Sequence, residues 1–214
     1  MNKALKILIS GGGTGGHVFP AIAIANLLKE MNRENKIEFV GAKDRMEMQK
    51  VPEAGFKIHG LWISGIQRGQ IFKNLLLPFK IVLSLFKAYQ ILSRFKPDVV
   101  VGVGGYASAP TLYMAHKKGI PTLIQEQNSF AGVTNKIMAH KADRFCVAYE
   151  RMDRFFPVDK IRNTGNPVRL DIINKSIPRE EALDFFGLSP EKKTILVIGG
   201  SLGAKTINES FKLN

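Results

Sequence analysis

The residues best placed to do chemistry stand where short apolar runs end. Ile7-Leu8-Ile9-Ser10 runs into Gly11-Gly12-Gly13-Thr14-Gly15-Gly16-His17. Val99-Val100-Val101 runs into Gly102-Val103-Gly104-Gly105-Tyr106, and Ile195-Leu196-Val197-Ile198 into Gly199-Gly200-Ser201-Leu202-Gly203-Ala204. A strand that ends in such a loop and opens a helix aims several bare N–H groups at one point, which suits a phosphate. Three such loops in 214 residues suggest a chain organised around phosphate-bearing ligands.

Three chemistries compete for the first loop. Gly11, Gly13 and Gly16 satisfy the dinucleotide pattern G-x-G-x-x-G, which wants an acid at the end of the second strand to hold a ribose. That strand ends Phe39-Val40-Gly41-Ala42-Lys43, with Glu38 inside it and Asp44 late. A P-loop needs Lys after Gly16, where His17 stands. The third chemistry is a sugar-nucleotide or lipid-pyrophosphate site, in which a neutral His17 could take a proton from an attacking hydroxyl. Against it stands a histidine that only caps or packs. The polar run Gln125-Glu126-Gln127-Asn128-Ser129 follows another apolar strand and suits recognition of sugar hydroxyls. The chain has no Asp-x-Asp pair to hold a divalent ion on a nucleotide diphosphate, and its His and Cys are too few and scattered for zinc. No metal and no cofactor are expected.

The elements that must position these residues alternate between strand and helix. Strands are predicted near Lys6–Ser10, Ile37–Val40, Phe56–Leu61, Asp98–Val103, Thr122–Gln125, Arg144–Val147 and Thr194–Ile198. Ala21, Ile24, Ala25 and Leu28 recur at helical spacing after the first loop. Such alternation argues an α/β fold, a parallel sheet covered on both faces. Ligands of these sheets bind at the carboxyl ends of the strands, where all three loops fall. Thr164-Gly165-Asn166-Pro167 marks a boundary, giving an N-terminal domain over 1–163 and a second unit over 164–214. The second unit reads as a helix over Arg179–Phe186 capped by Gly187, a strand, the third loop and a helix from about Ala204. One such unit cannot bury its own core, so the second domain is expected to be incomplete here.

The net charge is +13, from 31 basic and 18 acidic residues, which implies an anionic partner. The excess is local: between Ala54 and Pro97 there is no acid, but there are Lys57, Arg68, Lys73, Lys80, Lys87, Arg94 and Lys96. Lys73, Lys80, Lys87 and Arg94 recur every seven residues and form a slowly drifting stripe on a helix that Pro78 starts or kinks. Leu75, Phe79, Val82, Phe86 and Tyr89 form an apolar stripe roughly opposite, widened by Ile81, Leu85, Ala88 and Leu92. Two readings stay open: a core helix with a solvated lysine edge, or a surface that dips into a bilayer beside anionic head groups. Nucleic acid fits less well, because few aromatics are interleaved with Arg. Cys146 is the sole cysteine and fits a reducing compartment. No signal peptide is expected from the short run Ile7 to Ile9, and no run approaches the roughly 18–20 apolar residues of a membrane span.

Taken together, Gly12-Gly13-Thr14-Gly15-Gly16-His17-Val18-Phe19-Pro20, Gly104-Gly105-Tyr106, Glu126-Gln127-Asn128, Gly165-Asn166-Pro167-Val168-Arg169 and Gly199-Gly200-Ser201-x-Gly203-Ala204 resemble, in order and spacing, the MurG family of peptidoglycan N-acetylglucosaminyltransferases. The resemblance implies a glycosyltransferase-B fold: a Rossmann-like N-terminal domain and the truncated start of a second one. It implies inverting transfer of GlcNAc from UDP-GlcNAc to the MurNAc 4-hydroxyl of undecaprenyl-pyrophosphoryl-MurNAc-pentapeptide (lipid I), giving lipid II at the cytoplasmic face of the bacterial inner membrane. Positions Thr14, Gly15, Gly16, Asn128, Arg169 and Ser201 would contact UDP-GlcNAc. Gly13, His17, Gly104, Gly105, Tyr106 and Glu126 would take the acceptor. Leu75, Phe79, Val82 and Leu85, with Lys80 and Lys87, would meet an anionic phospholipid surface. His17 is the expected base, with Glu126 as the alternative; helix N-termini and Arg169 would steady the departing UDP. Leu202 stands where some members carry Gln, and most of the family's donor domain is absent. Two other readings remain: a membrane-associated module that grips a polyprenyl pyrophosphate without turnover, and a sugar-nucleotide epimerase of similar fold.

Overall fold

The near-continuous apolar runs form strands buried on both faces. In a computed structural model, which describes residues 3–65, 75–169, 177–198 and 205–212, the first unit is one parallel sheet in the order β3-β2-β1-β4-β5-β6-β7. Its strands are β1 (Lys6–Gly11), β2 (Lys36–Ala42), β3 (Lys57–Leu61), β4 (Val99–Gly104), β5 (Thr122–Glu126), β6 (Arg144–Val147) and β7 (Ile161–Asn163). The last of these has only three residues, too few to show a pattern in the sequence, and forms by pairing Phe145 with Ile161 and Val147 with Asn163.

Alternate residues of each strand feed two cores. Ile7 and Ile9 of β1, Ile37 and Phe39 of β2, and Val101 and Val103 of β4 face α1 (Gly15–Met31) and α2 (Glu47–Glu53). The predicted α1 face holds: Ala21 and Ala25 are buried, and Ile24 and Leu28 pack against the same cluster. Leu8, Val40, Val100 and Ile124 face the other way, onto α3 (Leu77–Phe95), α4 (Ser108–Lys117) and the residues around α5 (Val133–Ile137).

Helix α3 starts at the predicted proline, with Pro78 in its first turn, where a missing N–H costs nothing. It buries a narrow strip, Ser84, Ala88, Ile91 and Leu92. Leu75 (73%), Phe79 (67%), Val82 (64%) and Phe86 (60%) are exposed. Leu85 is half-buried and Lys87 exposed. Lys80 is drawn back, its Nζ donating to Ser64 Oγ at 3.1 Å and lying 5.4 Å from the Trp62 ring centroid. Lys73 lies outside the described residues.

The chain divides into compact units Met1–Arg169 and Leu170–Asn214. The linker stays with the first: Thr164 N–H donates to the Val147 carbonyl at 3.0 Å and Asn166 Nδ2 to the Gln127 carbonyl at 3.2 Å. In the second unit α6 (Arg179–Phe186) ends on Gly187 in the left-handed conformation (φ +63°), the expected cap. α7 spans Lys205–Lys212. The strand expected at Thr194–Ile198 is not formed, and Ile195 (83%) and Leu196 (78%) are exposed. An apolar run becomes a strand only beside another strand that completes its hydrogen bonds, and no described residue of that unit supplies one. The third glycine loop, with Ser201 and Leu202, lies outside the described residues.

Candidate active site

β1 and β4 are neighbours, but the chain leaves them in opposite directions across the sheet, toward β2 and toward β5. Such a reversal opens a crevice at the carboxyl ends of the strands, the usual ligand position in an open parallel sheet. The first two glycine loops meet there. The pairing register slips between Ser10 and Gly11, so that Gly11 sits beside Gly104, and Gly12 N–H donates to the Gly104 carbonyl at 3.3 Å. Gly104 (φ +96°) and Gly105 (φ +84°) are left-handed. A Cβ on Gly105 would lie 2.2 Å from the Gly12 carbonyl oxygen, and one on Gly104 would lie 2.7 Å from His17 Cδ2. Only glycine permits this approach of two backbones and an imidazole.

His17 is in the first turn of α1, half-buried, with Nδ1 3.1 Å from Thr14 Oγ1. Burial pushes its pKa below the ordinary value, against the opposing pull of Glu126, Glu47 and a backbone hydrogen bond with Gly12. The ring is therefore neutral at pH 7, the state that accepts a proton. Gly15 and Gly16 occupy the same first turn, where amides have no acceptor within their own helix.

Glu126, the alternative base, is 1% exposed and fully engaged. Its Oε1 accepts from the Asn128 N–H (3.0 Å) and Asn128 Nδ2 (3.1 Å); its Oε2 accepts from the Gly132 N–H (2.9 Å) and Asn135 Nδ2 (2.8 Å). It shapes the 126–135 loop, Asn128 included, and reaches His17 through its charge. Gln127 Nε2 donates to the Val103 carbonyl at 3.0 Å and to Gln125 Oε1, tying the polar run beneath the second loop.

Sequence reasoning missed Glu47. It is 1% exposed at the start of α2. Its Oε2 accepts the Gly13 N–H at 2.9 Å and its Oε1 the Ala42 N–H at 3.0 Å. Gly12 and Gly41 give it room, since a Cβ on either would come within 2.5 Å of its side chain. The amides of Gly12 and Gly13 are thus spent inside the protein, and those at the α1 N-terminus are the ones placed to meet an anion. Asp44 stands just past the end of β2, but the acid that engages the loop is Glu47, at the start of α2. Ser108 and Thr134 were also missed: Ser108 Oγ bonds the carbonyls of Ser10 and Gly104, and Thr134 Oγ1 donates to the Gly105 carbonyl at 3.1 Å.

Tyr106 is half-exposed, with its ring over Gly65. Arg169 is exposed at the end of the first unit, three residues past the Asn166 anchor. Among the described residues no three His, Cys, Asp or Glu side chains converge as a metal site, and no helix is long and apolar enough to cross a membrane.

Residues 7–147 match the glycosyltransferase family 28 N-terminal domain. A UDP-N-acetylglucosamine--N-acetylmuramyl-(pentapeptide) pyrophosphoryl-undecaprenol N-acetylglucosamine transferase of Parabacteroides distasonis is 60% identical over 210 residues, covering 98% of this chain and 57% of that protein. The enzyme of the same name from Cytophaga hutchinsonii is 58% identical over 212 residues, covering 99% and 58%. The crystal structure of Acinetobacter baumannii MurG superposes with a TM-score of 0.73 at 30% identity, over 96% of this chain and 55% of that one. A UDP-GlcNAc 2-epimerase of Neisseria meningitidis superposes at 0.56 with 16% identity, over 76% of this chain and 47% of that one. That likeness is one of fold alone. The chain spans a little over half the length of the curated relatives it matches.

Proposed function

This chain belongs to glycosyltransferase family 28, and on that premise we propose that it forms the acceptor-binding part of an inverting N-acetylglucosaminyltransferase. GlcNAc passes from UDP-GlcNAc to the MurNAc 4-hydroxyl of undecaprenyl-pyrophosphoryl-MurNAc-pentapeptide, giving lipid II. The observation that carries this reading is a half-buried His17, its pKa pushed down by burial, at the seam of the two glycine loops. His17 takes the proton from the 4-hydroxyl as the oxygen attacks the anomeric carbon and the bond to UDP breaks. Thr14 orients the ring through Nδ1. Glu126 stabilises the imidazolium that forms but, with four donors on its oxygens, does not itself take the proton. The second loop at Gly104-Gly105-Tyr106 takes the acceptor, and the helix-terminal amides of Gly15 and Gly16, with Thr14, meet the UDP-GlcNAc diphosphate. Asn128 and Arg169 are assigned to UDP-GlcNAc as well.

The substrate's polyprenyl tail places the reaction at a membrane surface, and α3 supports peripheral contact at the cytoplasmic face of the inner membrane. It exposes Phe79, Val82 and Phe86 along one stripe and Lys87 and Arg94 along another. A depression of about 910 Å³ lined by Lys6, Lys36, Lys57, Lys87 and Arg94 adjoins it, with Glu38 the one carboxylate among its described lining residues. This combination suits anionic lipid head groups.

The test uses the protein extended to the length of its relatives. His17→Ala is expected to lower kcat about 10²–10⁴-fold at saturating substrates; near-normal turnover would remove His17 from the base role. UDP-GlcNAc converted with no acceptor present would point to epimerisation, and binding without turnover to a non-catalytic module. Separately, anionic vesicles are expected to bind the protein better than neutral ones and to release it with salt. Equal binding to both, unchanged in Phe79→Ser with Lys80→Glu, would return α3 to a purely structural role.

A further inference from the structure

An apolar cavity of about 690 Å³ lies among α3, α4 and α5, of ordinary size for a small-ligand site. Leu77, Ile81 and Leu85, one face of α3, form a wall, and Ala109 of α4 and Ile137 of α5 face them. None of its described lining residues is charged. At one end stand Tyr106 and Thr134. Tyr106 follows directly on Gly104-Gly105, and Thr134 holds the Gly105 carbonyl. The cavity thus opens against the loop whose other side packs on His17.

We propose that this cavity binds the first isoprene units of the acceptor's polyprenyl chain, next to the pyrophosphate. The inference rests on the transferase reading above and deepens it. The argument is one of connectivity. A polyprenyl diphosphate joins its hydrocarbon directly to the phosphate oxygen. A charged group held at the glycine loops therefore needs an uncharged, apolar space beside it, and the cavity is lined by the residue that follows Gly105 and by the one bonded to its carbonyl. A phospholipid sets a polar glycerol ester between phosphate and chain, and it fits this junction poorly. Only the proximal units are held; the rest of the chain is free to lie in the bilayer that α3 faces.

The test is calorimetric titration of the chain with inorganic diphosphate, geranyl diphosphate and geraniol. Geranyl diphosphate is expected to bind about tenfold or more tighter than diphosphate, since burying even two methylenes gives that factor. Ile137→Asp, at a 60% exposed position, and Ala109→Phe, which fills the space, are each expected to erase the gain and leave diphosphate binding unchanged. A gain that survives both variants, or no gain at all, overturns the cavity assignment and leaves the pyrophosphate reading standing. Geraniol binding as tightly as geranyl diphosphate overturns it too, by showing a general apolar site. If none of the three binds, both the cavity and the loop assignment fall. GlcNAc transfer by the extended protein is scored separately, so loss of transfer alone counts against the transferase reading and not against the cavity.

Discussion

The charge state of His17 is set first by burial, opposed by two carboxylates that already have other work. Glu126 and Glu47 both favour the imidazolium, while burial disfavours it more strongly. Activity that needs a neutral imidazole rises as pH climbs through the His17 pKa. Glu47→Gln removes one stabilising charge, lowers that pKa further and is expected to move the acid limb of kcat/KM to lower pH. A residue that only braced the loop would reduce the rate evenly across the profile. Gly105→Ala meets the Gly12 backbone at 2.2 Å in a left-handed conformation. Strain there costs on the order of 1–3 kcal/mol, and the expected result is a lowered melting temperature with transfer lost. His17 and the glycines were legible because their types and adjacency form a local pattern. Glu47 was not, because its bond to Gly13 spans 34 residues and depends on where α2 begins.

At the scale of elements, α3 separates what pattern can and cannot tell. Its two stripes follow from the seven-residue repeat, and Pro78 marks a start or a kink, of which the structure shows the start. Which stripe is buried does not, because an arc of apolar residues wider than one packing face is consistent with core or surface. The core takes the strip through Ala88 and Leu92, leaving the Phe79–Phe86 face outward. Leu92→Ala is expected to cost about 2–5 kcal/mol of stability. Phe79→Ser with Val82→Ser should stay within about 0.5 kcal/mol per site while weakening vesicle binding; chemical denaturation and lipid flotation on the same samples would separate the two effects. Thr194–Ile198 shows the opposite failure. Its apolar run is a good strand sequence, but strand formation is a property of a pair.

For the whole molecule, strand alternation made the doubly covered parallel sheet legible before any coordinate. The order of strands was not, since parallel pairing is decided by crossovers that leave no mark on any one segment. That order creates the reversal between β1 and β4, and the reversal turns separated glycine runs into neighbours. The bond from Gly12 to the Gly104 carbonyl crosses this reversal. It stitches the half of the sheet built from β1, β2 and β3 to the half built from β4 through β7. Loop amides in most proteins trade their protons with water almost at once. That of Gly12, bonded to the Gly104 carbonyl across the reversal, should instead keep its proton until the two halves part. Deuterium uptake at Gly12 would then time the opening of the sheet itself, making the loop that faces the ligand a clock for the fold beneath it.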